Sequence, residues 1–183
     1  GFQQVVINGS AAEYGDEPMQ IKRKFPMVTV AVDGSRIEGC EFLAHPEKLQ
    51  TEKAAKKCKF KELLPADVII LDDAFQHRAL KPTLSIVLID HNRPTFKDYL
   101  LPLGRLRDLP ERVEKADVLI ITKCPYDMNS WQKCTWADNL GLKNFNAKEC
   151  YGITADGRKQ YIFFTSIAYD TPEAVFPEGD PRY

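Results

Sequence analysis

Val68-Ile69-Ile70-Leu71-Asp72-Asp73 decides how this chain is read: four apolar residues without alternation, then two carboxylates. An unbroken apolar run of this length suits a strand buried on both faces of a parallel sheet. Three more runs repeat the pattern, Val28 to Val32, Ile86 to Ile89 and Val118 to Ile121, and Tyr161 to Phe164 makes a fifth strand. Each stops at a polar residue: Asp33, Asp72 with Asp73, Asp90, Thr122 with Lys123, and Thr165 with Ser166. Ligands of open α/β sheets bind beyond the carboxyl ends of the strands, so these stops are expected to line one edge that carries the chemistry. The expected fold class is α/β, with a mostly parallel sheet flanked by helices.

Ser35 and Glu38 have the S-x-x-E spacing of a capping box. It predicts a helix with Ile37, Cys40 and Leu43 on one side and Pro46 as its limit. Glu47 to Glu62 is lysine-rich, with Leu49, Ala54 and Cys58 as a weak apolar side, and reads as a solvated surface helix. Ser130 to Leu140 predicts another helix, capped by Ser130 and stopped by Gly141, with Trp131, Cys134 and Leu140 packed inward. The stretch Thr171 to Tyr183 contains Pro172, Pro177 and Pro181 and no period. It reads as a linker or tail, so the domain is expected to span 1–170 and the tail 171–183.

At 183 residues and 44% hydrophobic, the chain can bury one good core. Its 25 basic and 26 acidic residues give a net charge of -1, so no global field favours nucleic acid or an anionic membrane. Recognition of phosphate must then be local. The five cysteines include no C-x-x-C pair and read as reduced thiols. No apolar run approaches the roughly 18 residues of a membrane span, and no leader-like start is present. The start at Gly1-Phe2-Gln3 has no methionine and reads as the middle of a longer polypeptide.

The segment from Asp72 to Arg78 packs two acids, an amide, an imidazole and a guanidinium into one loop. A loop that only turned the chain would use Gly, Pro, Asn or Ser. An apolar strand delivering an acid beside a nucleotide's metal is the logic of a Walker B motif, although many buried strands end in aspartate simply on reaching water. Gly15-Asp16-Glu17-Pro18 has a plain structural reading, a helix start with Asp16 as cap and Pro18 in the first turn. That leaves function open, since a cap can also face a substrate. In Leu101-Pro102-Leu103-Gly104-Arg105-Leu106-Arg107-Asp108, two guanidinium forks flank a leucine and suit phosphate oxygens. His45 and His91 have no partner at metal-ligand spacing, and Trp131, Trp136, Phe163 and Phe164 read as core.

D-D-A-F-Q-H-R at 72–78, G-D-E-P-M-Q-I at 15–21 and L-P-L-G-R-L-R-D at 101–108 resemble, in order and spacing, the tetraacyldisaccharide 4'-kinases. T-K-C-P at 122–125 is similar to the Bacteroidetes branch. The resemblance covers most of the chain. It implies an incomplete P-loop-NTPase-like fold that uses ATP and Mg²⁺ to phosphorylate the 4'-hydroxyl of an acylated glucosamine disaccharide 1-phosphate, giving lipid IVA. The implied partner is that lipid A precursor and not a nucleic acid. The implied location is the cytoplasmic face of the bacterial inner membrane, with the membrane surface met through regions absent from this chain.

By the same resemblance Asp16 matches the base toward the sugar hydroxyl, with Glu17 beside it. Asp72 and Asp73 match the Walker B acids, Asp72 on the metal, with Gln76 and His77 close to metal and phosphates. Arg107 matches the arginine of the family's L-P-A-G-x-L-R-E loop, and Arg105 lies beside it on the cofactor. Leu103 stands where the family has alanine. Asp108 stands where it has a glutamate near the metal, one methylene longer. G-x-x-x-x-G-K-[ST], whose amides and lysine hold phosphates, occurs nowhere in the 183 residues. It is expected before Gly1, and a D-H-x-x-F-like segment beyond Tyr183, so the chain alone is expected to be inactive. Two other readings remain: a non-catalytic domain that binds a nucleotide or sugar phosphate, and a metal-dependent phosphoesterase using Asp72 and Asp73.

Overall fold

The structure is a computed structural model that describes residues 1–51, 58, 62–77, 79–104, 106 and 110–171. These fall into two compact units, Gly1–Lys81 and Pro82–Tyr183.

In the first unit β1 (Gln3–Gln4) pairs antiparallel with β2 (Ala31–Val32), and α1 (Ala11–Tyr14) and α2 (Asp16–Lys24) lie between them in the chain. Met19 turns inward from α2 to join Val5 and Tyr14, with Val30 and Val32 packed against them. That contact fixes which side of α2 is buried and so leaves its acidic start in water. Helix α3 (Arg36–Ala44) begins as the capping spacing predicts, with Ser35 Oγ accepting the Glu38 N–H at 3.3 Å. Phe42 of that helix meets Phe2 edge-on at 5.5 Å, beside Leu49 of α4 (Lys48–Thr51). Most of the lysine-rich stretch, 52–57 and 59–61, lies outside the described residues, as does 172–183 of the tail.

Two strand expectations are corrected here. Val28 to Val32 contracts to Ala31–Val32. Val68 to Leu71 forms no strand: Val68 is 77% exposed and Ile70 90% exposed. Apolar composition gives a segment the capacity to be a buried strand, but a strand exists only through a ladder. Among the described residues no neighbour supplies one.

The second unit is built on a five-stranded sheet: β3 (Ile86–Asp90), β4 (Val118–Thr122), β5 (Lys143–Asn146), β6 (Tyr151–Ile153) and β7 (Lys159–Phe164), in the order β3-β4-β7-β6-β5. β3, β4 and β7 run parallel, with Ile86 opposite Val118 and Val118 opposite Tyr161. β6 is antiparallel to both β7 and β5. The sheet is therefore mixed, not mostly parallel. The cause is local: Thr154 to Arg158 closes a tight turn, with the Thr154 N–H on the Arg158 carbonyl at 2.9 Å and Gly157 at φ 85, and a hairpin can join only antiparallel neighbours.

Leu119, Ile121 and Ile162 share one face of this sheet and are fully buried. α5 (Ser130–Asn139) covers that face, with Lys133 Nζ over the Phe164 ring at 5.9 Å. Its cap is Asn129, not Ser130, in a reciprocal box with Gln132, while Gly141 at φ 80 ends it as predicted. Trp131 points to solvent, and Trp136 is the buried indole. On the opposite face Ile86, Leu88, Tyr161 and Phe163 remain exposed. Within β7, on the same face as Ile162, Gln160 is buried, and its Nε2 donates to the carbonyls of Val113, Glu114 and Ala116, tying the 3₁₀ turn Pro110–Lys115 to the strand.

Candidate functional site

The segment 15–18 starts α2, but not as the plain reading has it. Gly15, at φ 93, occupies the cap position and no side chain caps the helix. A non-glycine residue would be strained at that φ, so the glycine releases Asp16 from capping. Asp16 and Glu17 are exposed in the first turn, where the helix dipole favours acids, and no hydrogen bond of either side chain is found among the described residues. At the other end Lys22 Nζ donates to the carbonyls of Pro26 and Val28 at 2.9 and 2.8 Å, closing the helix.

The segment 72–77 is a compact acidic turn. Asp72 Oδ1 accepts the Asp73 N–H at 2.9 Å, Asp73 has a left-handed backbone at φ 44, and the His77 N–H reaches the Ala74 carbonyl at 2.9 Å. Arg36, at the start of α3, donates from Nη2 to the Asp73 carbonyl at 3.2 Å and so braces the turn. Both carboxylates and Gln76 are exposed, whereas His77 is half-buried with its Nδ1 enclosed and unpartnered among the described residues. Asp33, at the end of β2, is similar: one oxygen accepts the Ser35 N–H at 3.3 Å, and the other is buried without a partner among the described residues.

Arg105, Arg107 and Asp108 lie outside the described residues, as does Arg78. The loop around them is closed on itself, with the Leu101 N–H on the Leu106 carbonyl and the Leu106 N–H on the Tyr99 carbonyl, at 3.1 and 3.0 Å. Gly104 is required there, since a Cβ would sit 2.1 Å from the Tyr99 oxygen. In the same unit Lys123, left-handed at φ 58, reaches from the end of β4 to Asp90 at the end of β3, Nζ to Oδ2 2.5 Å. The ammonium holds the Asp90 carboxyl below the usual carboxylate range, helped by the Asn92 N–H.

The model of the tetraacyldisaccharide-1-P 4'-kinase family matches residues 1–168. The chain belongs to this family. It is 45% identical over 125 residues to the tetraacyldisaccharide 4'-kinase of Porphyromonas gingivalis, covering 68% of this chain and 31% of the relative. To the enzyme of that name in Parabacteroides distasonis it is 36% identical over 183 residues, 100% of this chain and 42% of the relative. To that of Bacteroides thetaiotaomicron it is 34% identical over 180 residues, 98% and 40%. The chain thus spans between 31% and 42% of the length of these curated relatives. No solved structure matches it.

Within this 4'-kinase family member, the donor set suits a hard divalent cation. Asp72 and Asp73 present adjacent exposed carboxylates, and Mg²⁺ is commonly held by one or two carboxylates with water and phosphate completing the shell. Among the described residues no group of three His, Cys, Asp or Glu could hold a metal. The enclosed His77 Nδ1 and Asp33 Oδ2 are further polar atoms left for a ligand in this unit. Sequence reading singled out Asp16, Glu17, Asp72, Asp73, Gln76 and His77 as candidates, but not Arg36 as the brace of the acidic turn or the Asp90–Lys123 pair. Arg36 carries no local signal, because its partner is a backbone carbonyl 37 positions away. Asp90 and Lys123 were visible only as strand ends. No helix of the described residues is long and apolar enough to cross a membrane.

Proposed function

We propose that these residues serve an ATP- and Mg²⁺-dependent kinase that phosphorylates the 4'-hydroxyl of an acylated glucosamine disaccharide 1-phosphate, at the cytoplasmic face of the inner membrane. The names of the relatives support the reaction class. The observation that carries the chemistry is the cap of α2: with Gly15 in the cap position, the Asp16 carboxylate is exposed and has no structural hydrogen bond among the described residues. Such a group can accept the proton of a sugar hydroxyl. Glu17 adds a second carboxylate beside it.

Asp72 would hold the metal, with Asp73, Gln76 and His77 toward the phosphates, and Arg36 keeps the turn in shape through the Asp73 carbonyl. Bound Mg-ATP supplies the phosphoryl group. Arg105 and Arg107 are proposed for phosphate charge and Asp108 for the metal. The 183 residues contain no G-x-x-x-x-G-K-[ST], so they offer no backbone cradle of that kind for a triphosphate. We expect no transfer and no submicromolar Mg-ATP binding from them alone.

The test is Asp16→Asn in a polypeptide of the relatives' length, read as single-turnover transfer at saturating ATP with a melting curve alongside. Loss of a positioned base lowers the rate about 10²- to 10⁴-fold. Asp72→Asn should instead raise the Mg²⁺ requirement. Near-normal turnover in Asp16→Asn would remove that residue from the mechanism and favour a non-catalytic binding domain for this segment.

A further inference from the structure

The loop that follows β3 leaves large apolar side chains in water. Tyr99 is 71% exposed, Leu101 65% and Leu103 88%. A single exposed leucine needs no explanation, but three large apolar side chains within five residues make a patch, and such patches mark interaction surfaces. The backbone holds them out. The Leu101 N–H reaches the Leu106 carbonyl at 3.1 Å, the Leu106 N–H reaches the Tyr99 carbonyl at 3.0 Å, and the Gly104 N–H reaches the Leu100 carbonyl at 3.0 Å. These bonds use up the polar backbone of the loop, so its outward face is left to side chains.

Beside the patch lies a groove of about 580 Å³, lined by Arg93, Lys97 and Asp98 together with Pro102, Leu103 and Gly104. Lys97 ends the 3₁₀ turn Thr95–Lys97, and Arg93 precedes the proline that starts it. Both cations are exposed, and neither side chain has a hydrogen bond or ion pair among the described residues. The acids near them are engaged. Asp98 Oδ1 accepts the Tyr99 N–H at 2.8 Å and lies 2.4 Å from where a Cβ on Gly104 would sit. Asp90, whose carboxylate feels the Arg93 charge, is paired with Lys123. The groove thus sets two available cations next to exposed leucines.

That combination selects the partner. A soluble anion would use the cations and leave the leucines in water, and an apolar protein face would leave the cations unpaired. A lipid surface answers both, because phosphates lie at its headgroup level and hydrocarbon begins just beneath. We propose that this loop is a membrane contact for anionic phospholipid: Arg93 and Lys97 meet lipid phosphates, Leu101 and Leu103 enter the acyl boundary, and Tyr99 rests at the headgroup level. The chain's net charge of -1 does not oppose this, since a membrane's surface potential acts only within about a Debye length, roughly 8 Å. Whereas the sequence resemblance puts membrane contact in regions absent from this chain, the loop gives these 183 residues a lipid surface of their own. The inference goes beyond the kinase reading and needs no nucleotide.

The test is cosedimentation of this chain, without nucleotide, with vesicles of phosphatidylcholine alone or with about a third phosphatidylglycerol. The mixed vesicles should bind it with half-saturation at about 1 mM lipid, and the neutral ones at least about tenfold more weakly. Arg93→Ala and Lys97→Ala should each weaken binding to the mixed vesicles about fivefold. Leu103→Ser should weaken it about tenfold. Leu88→Ser, which changes an exposed leucine on the bare sheet face, should leave it unchanged. All four side chains are exposed, so the melting temperatures should stay together. Equal binding to neutral vesicles would remove Arg93 and Lys97 from the contact. An unchanged affinity in Leu103→Ser would reduce the groove to a soluble-anion site, and an equal loss in Leu88→Ser would mean adsorption through the sheet face. Any of these three results, or no binding at about 5 mM lipid, overturns the proposal. Phosphoryl transfer is read separately: its absence leaves this surface standing, and failure of vesicle binding leaves the kinase reading untouched.

Discussion

Val68-Ile69-Ile70-Leu71 and Val118-Leu119-Ile120-Ile121 are nearly interchangeable as sequence, yet the structure treats them differently. The second is β4, laddered on both sides, with Leu119 and Ile121 buried completely. The first has no ladder among the described residues and leaves Val68 and Ile70 in solvent. Both runs nevertheless lead into a polar residue followed by a left-handed one, Asp72-Asp73 and Thr122-Lys123. What happens at the end of each run is written locally. What becomes of the run depends on partners elsewhere in the chain.

The sharpest way to break this comparison is to truncate both runs. Leu119→Ala removes a fully buried side chain from the center of the sheet and should cost about 2–5 kcal/mol in urea unfolding. Ile70→Ala trims an exposed one and should stay within about 0.5 kcal/mol. Equal costs would mean that Val68 to Leu71 is buried in solution and that the two runs do not differ. Hydrogen exchange reads the same contrast, with protected amides at Leu119 and Ile121 and fast exchange at Ile69 and Ile70.

This contrast marks how far the sequence can be read. The runs Ile86 to Ile89, Val118 to Ile121 and Tyr161 to Phe164 became strands because each found a parallel neighbour. The antiparallel half was missed for two reasons. Lys143-Asn144-Phe145-Asn146 lacks an apolar run altogether. The Asp156-Gly157 hairpin signal also sits between segments too short to stand out. At the site, Asp72 and Asp73 were legible because adjacent residue types declare themselves. Gly15 as the cap was not, because φ at one glycine decides between two acceptable helix starts. Arg36 on the Asp73 carbonyl and Lys123 on Asp90 are long-range pairs, 37 and 33 positions apart, which no local pattern encodes.

A smaller effect tests whether the two left-handed residues are equally constrained. A β-branched side chain is poorly tolerated at positive φ, so Lys123→Val should cost about 1–3 kcal/mol, since the hydrogen bonds of Thr122 and Cys124 prevent the backbone from relaxing. Lys123→Gly, which loses the ion pair but not the conformation, should remain within about 1 kcal/mol of the parent. Asp73→Val should cost less than Lys123→Val, because among the described residues its flanking run has no ladder to hold the turn in place. If the two valine variants cost the same, the acidic turn is held as firmly as the sheet edge, and the absence of a ladder at Val68 to Leu71 does not matter to it.

The smallest effect lies at the hairpin that makes the sheet mixed. Asp156 accepts the Arg158 Nε–H at 2.8 Å and the Thr154 hydroxyl, and these hold its carboxyl down at about 2. The unfolded chain titrates near the ordinary value of about 3.9. Since the folded value is the lower one, the carboxylate's contribution is present above about pH 3.9 and is lost as pH falls toward 2. Asp156 and Arg158 are both well exposed, so the contribution is small. Melting curves of the parent and Asp156→Asn should therefore differ modestly at pH 6 and converge by about pH 2. The loss should register first as faster exchange of the β6–β7 amides, with the β3–β4 ladder unaffected and Val68 to Leu71 already exchanging freely. A gap that persists undiminished at low pH would mean that Asp156 acts through packing. The antiparallel half of the sheet would then be fixed by Gly157 and the turn backbone alone.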